Sequence, residues 1–361
     1  MPEFELSVEI KVLVQLALNK RVDKLPDGFH FQTFLKQVEH HRVEPFLVGK
    51  LDVLKPILNA DDFQRLKLHL TKGIPLQLRY IKELRDLLKK FQEEGVRIMP
   101  FKGPLLSHEL FGNYTARSFK DLDVWVEKKD FETAHNIMCD LGYEPLYFDP
   151  TSLSGWRRKA CFRVEKDWTY IHKFSGCIVE LHWRLFTSPK MTSLTFNDFW
   201  NNAKSVSFLG LNVKSFNDEH LLFYLVVHGS WTGYNRLKWL FDFHYMLEKS
   251  IDGINWEKLL IRARELGCER AFLLSMKVRG VMFKESLPMV INSDFDAKKT
   301  NRALVEILLN NIVSVDNPQE FRNRHLYRYS LYPNRFAYLL MTLEHSLIKP
   351  EKWTNLAKKA D

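Results

Sequence analysis

The chain has 361 residues, is 45% hydrophobic and 27% charged, and carries a formal net charge of +9. That length and apolar content set an expectation of two or three structural units with a substantial core, and no apolar run approaches the roughly 20 residues that span a bilayer. The start, Met1-Pro2-Glu3-Phe4-Glu5, lacks a signal-peptide pattern, and Cys139, Cys161, Cys177 and Cys268 lack metal-type spacing, so the expectation is a cytoplasmic protein with reduced thiols and no membrane partner.

Residues 1–95 read as a helical region. Apolar residues recur at helical spacing from Glu5 to Leu18, and Phe31 to Leu51 contains His40-His41-Arg42-Val43-Glu44-Pro45, which reads as a polar helix surface or packing element. From Ile81 to Phe91, Leu84, Leu87, Leu88 and Phe91 form one stripe, and Gly95 is a fitting stop.

The pattern changes after Gly95. Val96 to Phe101 reads as a strand, which Pro100 confines to an edge or an end. Lys102-Gly103 then turns into a helix opening at Pro104, a position that favours proline. This strand–turn–helix aims a helix N-terminus and a lysine at whatever binds over the turn, a geometry suited to phosphate.

Residues 120–126 read as a second strand. Alternation puts Leu122, Val124 and Val126 in a core and Asp121 and Asp123 together on the other face. Two neighbouring acids repel unless a cation lies between them, and a divalent ion shared with substrate phosphates is the usual solution. Asp130 is expected to cap a helix with Phe131, Ala134, Ile137, Met138 and Leu141 inward, ended by Gly142. Tyr143 to Phe148 reads as a strand, and Thr151 to Arg163, with Arg157-Arg158-Lys159, as a mobile basic loop. Trp168 to Lys173 and Ile178 to Trp183 read as a hairpin closed at Gly176. It carries a third acid, Glu180, facing away from the core, with His182 on the same strand face.

From Asn217 onward the pattern is helical again. Segments are expected from Asp218, from Asn235 to Glu248 and from Trp256 to Leu266, and others continue to the tail beyond Pro333. Lys238 and Asp242 stand at helical i, i+4 spacing and read as a surface ion pair. Trp183, Trp239 and Trp256 read as core residues. The chain thus divides into an N-terminal helical region (1–95), an α/β core (96–214) and a C-terminal helical region (215–361).

The ordered set Lys102-Gly103, Arg117, Asp121-Leu122-Asp123 and Glu180-Leu181-His182-Trp183 resembles the uncharacterised bacterial nucleotidyltransferase family, within the superfamily of DNA polymerase β-like enzymes. The resemblance takes in His40 to Pro45 before the core and Leu237-Lys238-Trp239-Leu240-Phe241-Asp242 after it. It implies an α+β fold with a small mixed-sheet core flanked by helical regions. It also implies transfer of a nucleoside monophosphate from a nucleoside triphosphate, with ATP the expected donor, to a hydroxyl-bearing acceptor with release of pyrophosphate.

The resemblance assigns Asp121, Asp123 and Glu180 as ligands of two Mg²⁺ ions, with Mn²⁺ an alternative, and Glu180 as general base. Lys102 and Gly103 would meet the phosphates. Arg117 would meet the transition-state charge, and Ser118, His182, Lys238 and Asp242 would complete the nucleotide site. The wider superfamily has Gly-Ser or Gly-Gly at the turn, so Lys102-Gly103 belongs to the narrower family. The acceptor is open between a small molecule, a peptide or protein, and RNA. A non-catalytic nucleotide- or RNA-binding protein on the same fold is the alternative, and a toxin-like tRNA-modifying transferase would use the same chemistry.

Overall fold

A computed structural model describes residues 5–186, 194–250, 254–297, 300–313, 324–331 and 335–348. The first four residues and the tail beyond 348, both covered by sequence expectations, lie outside this set. The protein is α+β with a mixed sheet. It forms two compact units, each built from separated stretches of chain. The first draws on the described residues of Met1–Pro75, Ser107–Ser118 and Asp218–Leu331, and the second on those of Leu76–Leu106, Phe119–Asn217 and Tyr332–Asp361.

The second unit holds the strands: β1 (Ile98–Pro100), β2 (Leu122–Val126), β3 (Tyr143–Pro145), β4 (Asp167–His172), β5 (Ile178–His182), β6 (Lys204–Phe208) and β7 (Leu211–Ser215). Five of them form one sheet in the order β1-β2-β5-β4-β3, and β6 and β7 pair as a hairpin. Pro100 lies on the edge strand β1, where its missing N–H costs no ladder bond. The pairing of β2 with β5 is parallel, whereas β1–β2, β4–β5 and β3–β4 are antiparallel. Leu122, Val124, Val126, Val179 and Leu181 are all buried.

The helix Ile74–Glu93 buries Leu84, Leu87, Leu88 and Phe91, the stripe its spacing predicts. It ends at Gly95, whose φ of 68° lets Val96 N–H reach back to the Phe91 carbonyl. Tyr80 on this helix donates to the Lys120 carbonyl and accepts from Ile178 N–H. One hydroxyl thereby pins the chain just before β2 and the first residue of β5.

The segment expected to be a mobile basic loop is ordered instead. Pro150–Ser152 form a 3₁₀ turn and Gly155–Val164 an α-helix. Its last turn buries Cys161, Phe162 and Val164, and Phe162 packs against Phe131 and Trp183 with ring centroids 5.0 and 4.6 Å apart. The basic residues of the first turns hide that anchor from a periodicity reading. Trp183 is buried as expected, whereas Trp239 and Trp256 are only half-buried.

The regular elements described in the first unit are helical. Asp218–Thr232 and Glu269–Phe283 are buried on most of their surfaces and form its centre. His41 is fully buried and its Nδ1 accepts from Leu237 N–H, while Arg236 donates to the His40 carbonyl. The motif His40 to Pro45 is therefore a docking point for the chain that opens the helix Leu237–Ser250. No described helix is long and apolar enough to cross a membrane.

Candidate active site

Strand register puts the site together. Asp123 on β2 lies opposite Glu180 on β5, and Trp125 lies opposite His182. In the antiparallel pair beyond, Glu180 faces Thr169 and His182 faces Asp167. Residues directly opposite share a face, so one face of the sheet presents Asp123, Glu180, His182 and Asp167. Its opposite face carries Leu122, Val124, Val179 and Leu181. Asp121 stands one residue before β2 and is half-buried. The acids therefore do not occupy two positions of one strand; Asp123 meets Glu180 laterally instead.

His182 is the hub. Its Nε2 lies 3.2 Å from Asp123 Oδ1 and 3.3 Å from Glu180 Oε2, and its Nδ1 lies 3.2 Å from the Arg184 carbonyl and 3.6 Å from Asp167 Oδ2. Both ring nitrogens face acceptors, a setting that favours the protonated ring. Burial and Lys166 oppose that charge, but Asp167 and the hydrogen bonds to Asp123 and Glu180 outweigh them and raise its pKa. Phe101 meets the ring edge-on at 5.0 Å and stacks on Phe216 at 5.7 Å. This aromatic wall holds the imidazole in place.

Two lysines complete the charge pattern. Lys102 Nζ donates to Asp123 Oδ1 at 2.8 Å. Lys166 pairs with Asp167 and stands 3.7 Å from Glu180 Oε2. Burial alone would raise the Asp123 carboxyl, but Lys102 and His182 hold it well below the usual carboxylate range. Asp167 is lowered in the same way, by His182 and Lys166 acting against its burial. Burial is also overridden at Lys166, where Asp167 and Glu180 raise the ammonium pKa. Spacing alone misses Lys166 and Asp167. The signal for Asp167 is hairpin arithmetic, because a turn centred on Phe174-Ser175 carries the register back from His182 to Asp167.

The donor set fits a divalent cation. One oxygen each from Asp123 and Glu180 and a nitrogen of His182 lie within 4.8 Å of one another. Carboxylate oxygens are the donors Mg²⁺ and Mn²⁺ prefer. A second grouping, His244, Glu248 and Glu285, also meets the 4.8 Å criterion. There the buried Arg279 donates to His244 Nδ1 at 3.1 Å and contacts Glu248 and Glu285 at 2.6 Å each. That guanidinium already supplies the cation.

The Lys102-Gly103 turn follows β1 after Phe101, and the helix Gly103–Phe111 begins there. Gly103 has φ 61°, a conformation L side chains rarely adopt, and a Cβ there would meet only Leu122 and the Asp121 carbonyl at ordinary contact distance. Glycine is thus required by the backbone, and the start of a helix, where amides lack intrahelical partners, is a setting that suits an anion.

The remaining sequence candidates assemble within the first unit. Arg117 Nε reaches both oxygens of Asp242, and Lys238 Nζ donates to the Ser118 carbonyl at 3.2 Å. Lys238 and Asp242 are buried, so the expected surface ion pair between them is replaced by partners on the segment that leads into β2. The Arg117 N–H is held by Ser107 Oγ, which itself donates to the Asn113 carbonyl.

Among solved structures, the solution structure of the antibiotic-resistance factor ANT(2'')-Ia is similar at 9% identity. Its TM-score is 0.37, and the match covers 52% of this chain and 94% of that one. No curated protein matches the chain. A model described as uncharacterised nucleotidyltransferase matches residues 27–284, most of the chain and all seven strands, and the protein belongs to that family.

Proposed function

We propose that the protein is a divalent-metal-dependent nucleotidyltransferase that moves a nucleoside monophosphate from a nucleoside triphosphate to a hydroxyl-bearing acceptor. The observation carrying this reading is the juxtaposition of Asp123, Glu180 and His182 on one sheet face, with Lys102 of the Lys-Gly turn against Asp123. A bound pair of Mg²⁺ ions would lower the pKa of the acceptor hydroxyl and neutralise charge on the donor phosphates.

In the proposed reaction the acceptor oxygen forms a bond to the α-phosphorus and the bond to the bridging oxygen of the β-phosphate breaks. Pyrophosphate leaves, and the hydroxyl proton passes to the Glu180 carboxylate. Asp121, Asp123 and Glu180 are the proposed metal ligands. His182 and Asp167 hold the carboxylates of this face in orientation, and Lys102 with the amides at Gly103 receives the phosphates. For Arg117, Ser118, Lys238 and Asp242 we propose a part in nucleotide binding, exerted through the segment that precedes β2.

Isothermal titration with the Mg²⁺ complexes of ATP, GTP, CTP and UTP tests this. The expected result is binding of at least one of them, with ATP the first candidate, and loss of binding in Asp121→Ala plus Asp123→Ala. Absence of binding by the wild type, or undiminished binding by the double variant, overturns the proposal.

A further inference from the structure

The helix Arg335–Leu347 is apolar on two sides. It buries Ala337 and Tyr338, and its Glu344 is held by Arg163 of the helix Gly155–Val164, whose Nε donates at 3.0 Å. On the other side Phe336, Leu339, Leu340, Leu343 and Leu347 are between 43% and 75% exposed. A surface helix ordinarily turns its polar residues outward, and one that is apolar all round belongs in an interior. Single exposed leucines are common, but steps of three and four residues return to one helix face, so these five are neighbours. Together they leave about 500 Å² of apolar surface in one patch, large for a lone monomer.

The spacing selects what covers the patch. Phe336, Leu340, Leu343 and Leu347 follow one another at steps of four, three and four residues, the seam of a helix that meets another helix. These steps read the same from either end. A two-fold axis through the middle of the seam pairs Phe336 with Leu347 and Leu340 with Leu343. The face is thus complementary to itself, as an interface between identical copies requires. Antiparallel pairing also opposes the two helix dipoles. Two such faces together withdraw about 1,000 Å² from water, the area at which specific interfaces begin.

We propose that the chain forms a homodimer through this helix, two copies packing antiparallel along Phe336, Leu340, Leu343 and Leu347, with Leu339 at the rim. The ion pair of Glu344 with Arg163 braces the helix from its flank, so the seam is presented already ordered. Each copy carries a net charge of +9. The contact is apolar and forms against long-range repulsion, so it tightens as salt rises. Attraction to an anionic surface would weaken under the same change.

Sedimentation equilibrium of the full chain, from about 1 to 100 μM and at two salt concentrations, tests the proposal. The expected result is a monomer–dimer equilibrium with a dissociation constant of about 10 μM, tighter at the higher salt. Leu340→Lys and Leu343→Glu each weaken it by about tenfold or more. Combined in one chain, the two substitutions face each other across the axis, and affinity returns to within about threefold of wild type. That recovery separates a lost interface from a misfolded variant.

A chain that stays monomeric at about 100 μM overturns the proposal. So does a dimer untouched by either single variant, or a double variant no better than the singles. Two further measurements identify another occupant. Flotation with phosphatidylglycerol vesicles that is abolished by Leu343→Glu makes the seam a lipid face. Dimerisation of a chain ending at Ile348, where the full chain stays monomeric, makes the tail its cover. Either result replaces the second copy.

Discussion

Arg117 Nε faces both carboxylate oxygens of Asp242, at 2.9 and 3.0 Å, and the two side chains are only 5% and 1% exposed. A buried pair of this kind is costly to break one-sidedly, because the survivor loses its opposite charge in a dry surrounding. Asp242→Ala is expected to cost about 3–5 kcal/mol of stability, whereas Arg117→Met combined with Asp242→Leu recovers most of that loss. Urea unfolding of the single and double variants measures both. A single variant within about 1 kcal/mol of wild type would mean that water reaches the pair.

Gly229 lies inside the helix Asp218–Thr232, where alanine would ordinarily stabilise by up to about 1 kcal/mol. Here the sign reverses. A Cβ at Gly229 would run into the ring of Tyr234, which is fully buried and donates to Ser275 Oγ at 2.8 Å. Gly229→Ala is expected to lose about 1–3 kcal/mol, read as a lowered melting temperature, and an unchanged or raised one would show that the ring yields.

Gly103→Ala separates backbone strain from packing. The added methyl meets Leu122 at 3.6 Å, an ordinary contact, so the cost comes from φ 61° and amounts to about 1–2 kcal/mol. Under the proposed function, the same change turns the first helix amides and costs about tenfold in nucleotide affinity. Calorimetry on the folded variant checks this, and unchanged affinity would remove the turn from the phosphate site.

His244 gives the first unit an acid sensitivity. Burial and the neighbouring Arg279 lower its pKa from 6.5 to about 3. The unfolded chain therefore takes up a proton below pH 6.5 that the native ring refuses, and stability falls as pH drops through that range. His41 is lowered in the same direction by burial, His40 and Arg236. His244→Gln removes one such group, and between pH 6.5 and 5 its stability should fall by about 2 kcal/mol less than that of the wild type. Chemical denaturation at both pH values measures the difference; parallel slopes would place the His244 titration in the normal range.

Much of the sheet was legible from alternation. The period of Leu122, Val124 and Val126 gives β2, and that of Val179 and Leu181 gives β5 with Glu180 on the opposite face. What alternation cannot give is lateral order. The meeting of Asp123 with Glu180 depends on a parallel pairing that no local turn dictates, and Asp121 drops out of the strand because β2 begins at Leu122. Asp167 was within reach through the β4–β5 register, but placing the strand start at Trp168 hid it. The buried roles of Lys238 and Asp242 were not legible, since charged residues at i, i+4 read as solvent-facing until a partner such as Arg117 is supplied from 125 positions away. The same holds for His41, whose acceptor role toward Leu237 spans 196 positions.

The parallel pairing of β2 with β5 has a consequence for how the protein comes to exist. Asp123 and His182 are 59 positions apart, and the intervening chain must fold back with the right hand before the two strands can lie side by side. Closing so long a connection is entropically unfavourable until the whole sheet rewards it. A nascent or nicked chain that ends before β5 owns half a cluster and none of its geometry. Under the proposed function, cation affinity at this face would thereby be a certificate of completed folding, and only a finished molecule could be charged for work.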